Sequence, residues 1–274
     1  MTPLGPSSLT WRYFGDNRML LSGPRAGILQ LMLPALGQGV LDHSVFFNET
    51  FARLKRSAGP ILNTVYGGER ATATGAKVRD YHREIKGELP DGTRYHALDP
   101  DTYFWAHATF LDQMLYTIET FVRPLTADEK DRLYEESKTW YRSYGVSDRA
   151  MPQDWAGFQL YWKNKLASEL VAHKSAAYSV GYVKKGLPRP PKVPAALWRA
   201  VSPPVNGVAR FLTTGGLPPE SRELLDLPWS ARDEARYRRF AAAVRRTAPL
   251  IDALPHLLRY QPHARAAFRR ARAR

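Results

Sequence analysis

Between Asp99 and Pro124, Phe104, His107/Ala108, Leu111, Leu115, Ile118 and Val122 recur at steps of three and four residues. That spacing predicts an amphipathic helix of about five turns. Asp99-Pro100-Asp101 supplies its start, with an acceptor cap, a proline in the first turn and an acidic charge where the helix dipole favours it. Pro124 ends it. Thr126, with Glu129 three residues on, predicts a capping box and a second helix through Leu133, Tyr134 and Trp140. A third, within 151–170, carries Trp155, Phe158, Tyr161/Trp162 and Leu166 on one face.

Upstream, Ala73 to Lys86 is predicted as a helix with Val78, Tyr81/His82 and Ile85 on one side and Gly87 at its C-terminal stop. GELPDGTRYHAL predicts a short β-hairpin around Asp91-Gly92. Residues 187–204 hold six prolines and predict a rigid surface crossing. Helical spacing returns at Tyr237, Phe240/Ala241 and Val244. The whole reads as all-α in a single domain, divided into an N-terminal segment (1–18), a helical domain (19–250) and a basic tail (251–274).

Composition narrows the chemistry. The 274 residues are 44% hydrophobic and 24% charged, as in an ordinary globular protein. With no cysteine, disulfides, zinc–thiolate sites, iron–sulfur clusters and thiolate-bound haem are excluded, leaving 7 histidines as the main metal ligands. The N-terminus lacks the order of a signal peptide. The most apolar stretch, 19–41, is broken by Pro24, Arg25 and Pro34. A membrane span needs about 20 apolar residues, so a cytoplasmic protein is expected. The net charge of +14 is uneven: residues 232–274 contain twelve arginines against Asp233, Glu234 and Asp252. Such an end reads as a solvated tail, or as a means of peripheral attachment to an anionic membrane surface. No nucleic-acid-binding motif accompanies it.

Nucleotide-binding loops, the G-x-S-x-G elbow, HExxH and EF-hand loops are missing. Three histidines sit in apolar or mixed helical settings: His43, His82 and His107. Each can be a hydrogen-bonded core residue or a ligand. His82 shares a side with Val78 and Ile85 while Arg79, Arg83 and Lys86 face water, which would suit an axial haem ligand. His107, among Phe104, Trp105 and Phe110, suits a pocket lining. His43, after Asp42 and before Ser44, reads as a helix start with a capping role. Arg53, Arg56 and Ser57 share a helix face, either as an exposed basic stripe or as a cationic edge for haem propionates or bound dioxygen.

Several stretches together resemble the rubber oxygenase (latex-clearing protein) and mycophenolic-acid-pathway oxygenase superfamily: GILQLMLPALGQGVLDHSVF, FARLKRS, VRDYHREIKG, TRYHALDPDTYFWAHATFLDQ and ETFVRPLTADEKDRLYEE. The resemblance covers roughly residues 20–245. It implies a globin-like helical domain with one haem b, whose iron uses dioxygen to cleave double bonds in isoprenoid chains. Carried over by position, His82 is the proximal iron ligand. The family's R-x-x-K-T motif falls on Arg53, Arg56 and Ser57, with arginine replacing a lysine. Because arginine stays protonated, Arg56 is expected to donate hydrogen bonds rather than ligate. The expected function is a haem-dependent oxygenase acting with dioxygen on an unsaturated, hydrophobic, isoprenoid- or lipid-like small molecule. In this reading Arg53, Arg56 and His107 are catalytic, and His82, Arg53, Ser57 and Phe104 hold the cofactor. Either His82 or His107 is the axial ligand. A haem carrier or sensor without catalysis, and a basic protein binding anionic membrane or nucleic acid, are the rival readings.

Overall fold

The Asp99 side chain accepts from the Asp101 and Thr102 N–H groups, Pro100 occupies the first turn, and the helix so started runs to Phe121. Several other helices pack directly against it. The computed structural model describes the backbone of residues 3–44 and 50–273, and the side chains of 3–44 and 58–273. Its first helices are α1 (Leu9–Tyr13), α2 (Arg25–Met32), α3 (Pro34–His43), α4 (Thr50–Tyr66) and α5 (Ala71–Asp80). A hairpin of β1 (Lys86–Glu88) and β2 (Arg94–His96) leads into α6 (Pro100–Phe121), α7 (Ala127–Arg142) and α8 (Trp155–Ser168). Short helices α9 (Lys174–Ser179) and α10 (Gly181–Lys185) precede α11 (Ala195–Gly216), α12 (Pro219–Leu224) and α13 (Ala231–Arg246). The chain ends in α14 (Ala248–Asp252), α15 (His256–Arg259) and α16 (Pro262–Arg272).

The protein is all-α with a short antiparallel hairpin, in register Lys86 to His96 and Glu88 to Arg94. Gly92 turns that hairpin at φ +85°, a conformation that costs glycine little. Helix α6 contributes to three hydrophobic clusters. Phe104, Leu111 and Ile118 join α1, α4 and α7, Trp105 joins α2 and α9, and Phe121 joins Tyr237 and Ala241 of α13. Trp105 is fully enclosed, donating from Nε1 to the Leu29 carbonyl at 3.0 Å and stacking on Trp162 at 4.9 Å. The capping box of Thr126 and Glu129 is formed in full.

Three expected elements differ. The helix predicted over 73–86 stops at Asp80, and residues 81–84 form a turn. The His82 N–H goes to the Arg79 carbonyl at 2.8 Å, while its side chain takes the Val78 carbonyl that another helical turn would have used. Gly87 therefore lies in β1 and is no helix stop.

The proline-rich crossing is shorter than expected, because α11 begins at Ala195 and contains Pro203 and Pro204. Their missing N–H groups leave the Arg199 and Ala200 carbonyls without helical donors, and both residues are exposed, so water can serve. Nor does the basic end trail into solvent. In α16, Ala264 and Ala267 are buried, Phe268 sits edge-on to Trp11 at 5.6 Å, and Arg270 donates to the Tyr66 carbonyl at 3.0 Å.

Candidate functional site

Helices α4 and α5 pack against each other across the short connection 67–70. Arg53, Arg56 and Ser57 lie on α4. Their side chains lie outside the described ones.

His82 follows the last turn of α5 and is half-buried. Its Nδ1 lies 2.7 Å from the Val78 carbonyl oxygen. A carbonyl only accepts, so Nδ1 carries a proton, and in the neutral ring the lone pair is on Nε2. The Tyr103 ring stands edge-on to the imidazole, centroids 5.8 Å apart.

Two more imidazoles hold the same turn and the strand after it. His96 Nε2 lies 3.0 Å from the Arg83 carbonyl, and His43 Nε2 lies 3.1 Å from that of Lys86. His43 closes α3 and does not open a helix. Tyr95 completes the brace: its hydroxyl donates to Asp42 at 2.6 Å, and its ring fits against Gly87 and Gly39, where added Cβ atoms would meet it at 2.8 and 3.5 Å. Burial, and then the Asp42 carboxylate, push the Tyr95 phenol up to about 12.

Behind Tyr103 is an aromatic layer. Tyr103 contacts Tyr144 at 5.5 Å and Tyr141 at 6.2 Å, and burial raises all three phenols above their ordinary range. Phe104 lies deeper, against Tyr161 at 5.1 Å and Tyr141 at 5.4 Å. His107 is sealed among Trp140, Tyr141 and Tyr144, with Nε2 placed 2.9 Å from the Ser137 hydroxyl and 3.1 Å from its carbonyl. Desolvation pushes this imidazole down to about 3, so it is neutral at physiological pH. Its Nδ1 has no hydrogen-bond partner. Among the described contacts none joins His82 to Phe104 or His107; Tyr103 and the tyrosines behind it intervene.

Two cavities lined by described residues lie away from His82. One, of about 20 Å³ beside Leu4, Thr64, Ala71 and Trp140, is little larger than a water; the other is a crevice too narrow for a water beside Tyr13, Asp16 and Arg18. Among the described residues no three His, Asp or Glu side chains gather as a metal site, and no helix is long and apolar enough to cross a membrane.

Sequence reasoning passed over Tyr103, His96 and Tyr95. Tyr103 was accessible, since it stands four residues before His107 on the same helix face. The histidine bonds to carbonyls of the turn leave no periodic trace.

The family model for "ER-bound oxygenase mpaB/B'/Rubber oxygenase, catalytic domain" matches residues 11–246, from α1 to the last residue of α13. The chain belongs to this family. Two similar relatives are Uncharacterized protein Mb2261 of Mycobacterium bovis and Uncharacterized protein Rv2237 of Mycobacterium tuberculosis. Each is 28% identical over 245 residues, covering 85% of this chain and 90% of the relative. No solved structure matches the chain. The matched region is an oxygenase-type catalytic domain, and it contains α4 and α5, the histidine-braced turn and α6.

Proposed function

We propose that the chain is a haem-b-dependent oxygenase in which His82 is the proximal iron ligand and the substrate is an unsaturated, hydrophobic, isoprenoid- or lipid-like molecule. The observation that carries this reading is the bond between His82 Nδ1 and the Val78 carbonyl. Axial and other metal-bound imidazoles characteristically donate their second N–H to a carbonyl or carboxylate, which fixes the tautomer and raises the basicity of the ligating nitrogen. His82 has that arrangement, in a turn braced by His96 at the Arg83 carbonyl and followed by a strand held by His43 at the Lys86 carbonyl.

The donor set fits the cofactor. A porphyrin brings four nitrogens of its own, so one protein imidazole is sufficient. The edge of Tyr103 lies beside that imidazole. When bound, the haem iron would supply activation of dioxygen.

The chain's own residues have separate tasks in this scheme. Val78 and Tyr103 orient the His82 ring. Arg53 and Arg56 would present fixed positive charge to propionates or to a polar distal ligand. Phe104 and His107, one aromatic layer away, would keep the interior behind the site dry and neutral. The preference for an apolar substrate rests on the family.

Haemin titration of the purified chain is the test. A stoichiometric Soret band is expected that is lost in His82→Ala and kept in His107→Leu, with melting curves confirming that each variant is folded. No Soret band in the wild-type chain, or an unchanged one in His82→Ala, would overturn the assignment. Oxygen uptake with prenylated or polyisoprenoid substrates separates an oxygenase from a carrier.

A further inference from the structure

Residues 170–219 contain no aspartate or glutamate, yet they carry Lys174, Lys184, Lys185, Arg189, Lys192, Arg199 and Arg210. All seven are exposed. Among the described residues only Lys184 of the seven forms an ion pair, with Asp226 at 2.7 Å.

Helix α11 rises from this unbalanced charge. Its C-terminal end is docked: Thr213, Thr214 and Gly216 are buried, and the Tyr182 hydroxyl bonds Thr213 Oγ1. Asn206 is held as well, accepting from the Leu187 N–H at 2.8 Å. The part before Asn206 is largely exposed, although it is mostly apolar. Leu197, Val205 and Val208 are 53%, 39% and 59% exposed, with Val201 between them half-buried. At about 3.6 residues per turn these four side chains fall within an arc of roughly 80°, and Arg199 and Arg210 point to the opposite side. An aliphatic stripe on a helix next to a segment rich in largely uncompensated cations is the composition of an element that lies in a membrane interface. The helix is too polar to cross a membrane.

We propose that the exposed aliphatic stripe of α11, with the basic segment leading into the helix, docks the protein on an anionic lipid bilayer. Leu197, Val201, Val205 and Val208 enter the acyl boundary, and Lys185, Arg189 and Lys192 meet the headgroups. The stripe itself is aliphatic, which suits acyl chains. The assignment does not depend on haem. It also differs from attachment through the arginine-rich end, since α16 is folded against α4 and Trp11.

Vesicle co-sedimentation of the full chain tests it, comparing phosphatidylcholine alone with phosphatidylcholine containing about one third phosphatidylglycerol. The wild-type chain is expected to bind the anionic vesicles at low salt and to release with added salt. Leu197→Glu/Val205→Glu/Val208→Glu is expected to weaken binding by about tenfold or more, at surface positions where folding does not need the side chains. Lys185→Glu/Lys192→Glu, which leaves the apolar stripe intact, is expected to weaken it too. Equal binding to neutral vesicles, no binding to anionic ones, or undiminished binding by both variants would overturn the proposal. So would a dimer in the absence of lipid that the triple substitution dissolves, because the stripe would then be covered by a second copy.

Discussion

His82 Nδ1 and the Val78 carbonyl oxygen are 2.7 Å apart, so one hydrogen bond both ends helix α5 and selects the tautomer of the imidazole. Two consequences can be measured without any cofactor. In ¹⁵N spectra of the protein alone, the neutral His82 ring should be protonated at Nδ1. His82→Ala should lose about 1 kcal/mol of stability in urea, the typical worth of a helix-terminal side-chain bond. A ring protonated at Nε2 would remove the bond and the ligand geometry with it.

The buried pair of Arg25 and Asp112 fastens α2 to α6. Arg25 Nε is 2.5 Å and Nη2 3.1 Å from the carboxylate, its Nη1 donates to the Gly216 carbonyl, and its guanidinium lies over Tyr116 at 4.4 Å. Truncating one partner strands the other in a dry site. Arg25→Met should therefore cost about 3–5 kcal/mol, and adding Asp112→Leu should restore much of that loss. Equal urea midpoints for the single and double variants would show that the two charges are not coupled.

Two glycines make a contrasting pair. A Cβ on Gly75 would sit 2.3 Å from the Ser143 carbonyl oxygen, where α5 crosses the end of α7, whereas nothing lies within 4 Å of one on Gly27 in α2. Gly75→Ala must spread the two helices and should cost about 1–3 kcal/mol. Gly27→Ala only restrains the unfolded chain and should add up to about 1 kcal/mol. Thermal or urea melts of both variants read the difference in sign.

What the sequence made legible follows from how local each cause is. The starts of α6 and α7 depend on residues within one turn, Asp99 with Pro100 and Thr126 with Glu129, and both caps form as the chain order indicates. The end of α5 depends on a side chain reaching back to Val78, which periodicity does not register. Arginine density hid α16, although Ala264, Ala267/Phe268 and Ala271 carry a helical face of small apolar groups that fits beside Gly15. At the site, motif order singled out His82, but the contacts that shape its surroundings come from α3, β2 and α6. These are tertiary contacts across tens of residues, invisible to spacing within any one segment.

His107 gives the fold a dependence on pH. Its ring is fully enclosed, and desolvation lowers its folded-state value to about 3 from the ordinary 6.5. A depressed value means that the unfolded chain takes up the proton first. The stability held by the neutral ring is therefore complete above about pH 6.5 and declines as the pH falls toward 3. Between pH 7 and pH 5 the loss should be roughly 2 kcal/mol, read as a falling urea midpoint. His107→Leu should remove most of that slope. Some should remain from His173, which burial also pushes down. The Nδ1 without a partner makes protonation harder still, since an imidazolium N–H at that position would meet only the surrounding aromatic rings. If wild type and His107→Leu decline in parallel, the ring is already hydrated in the native state and the layer behind Tyr103 is not dry.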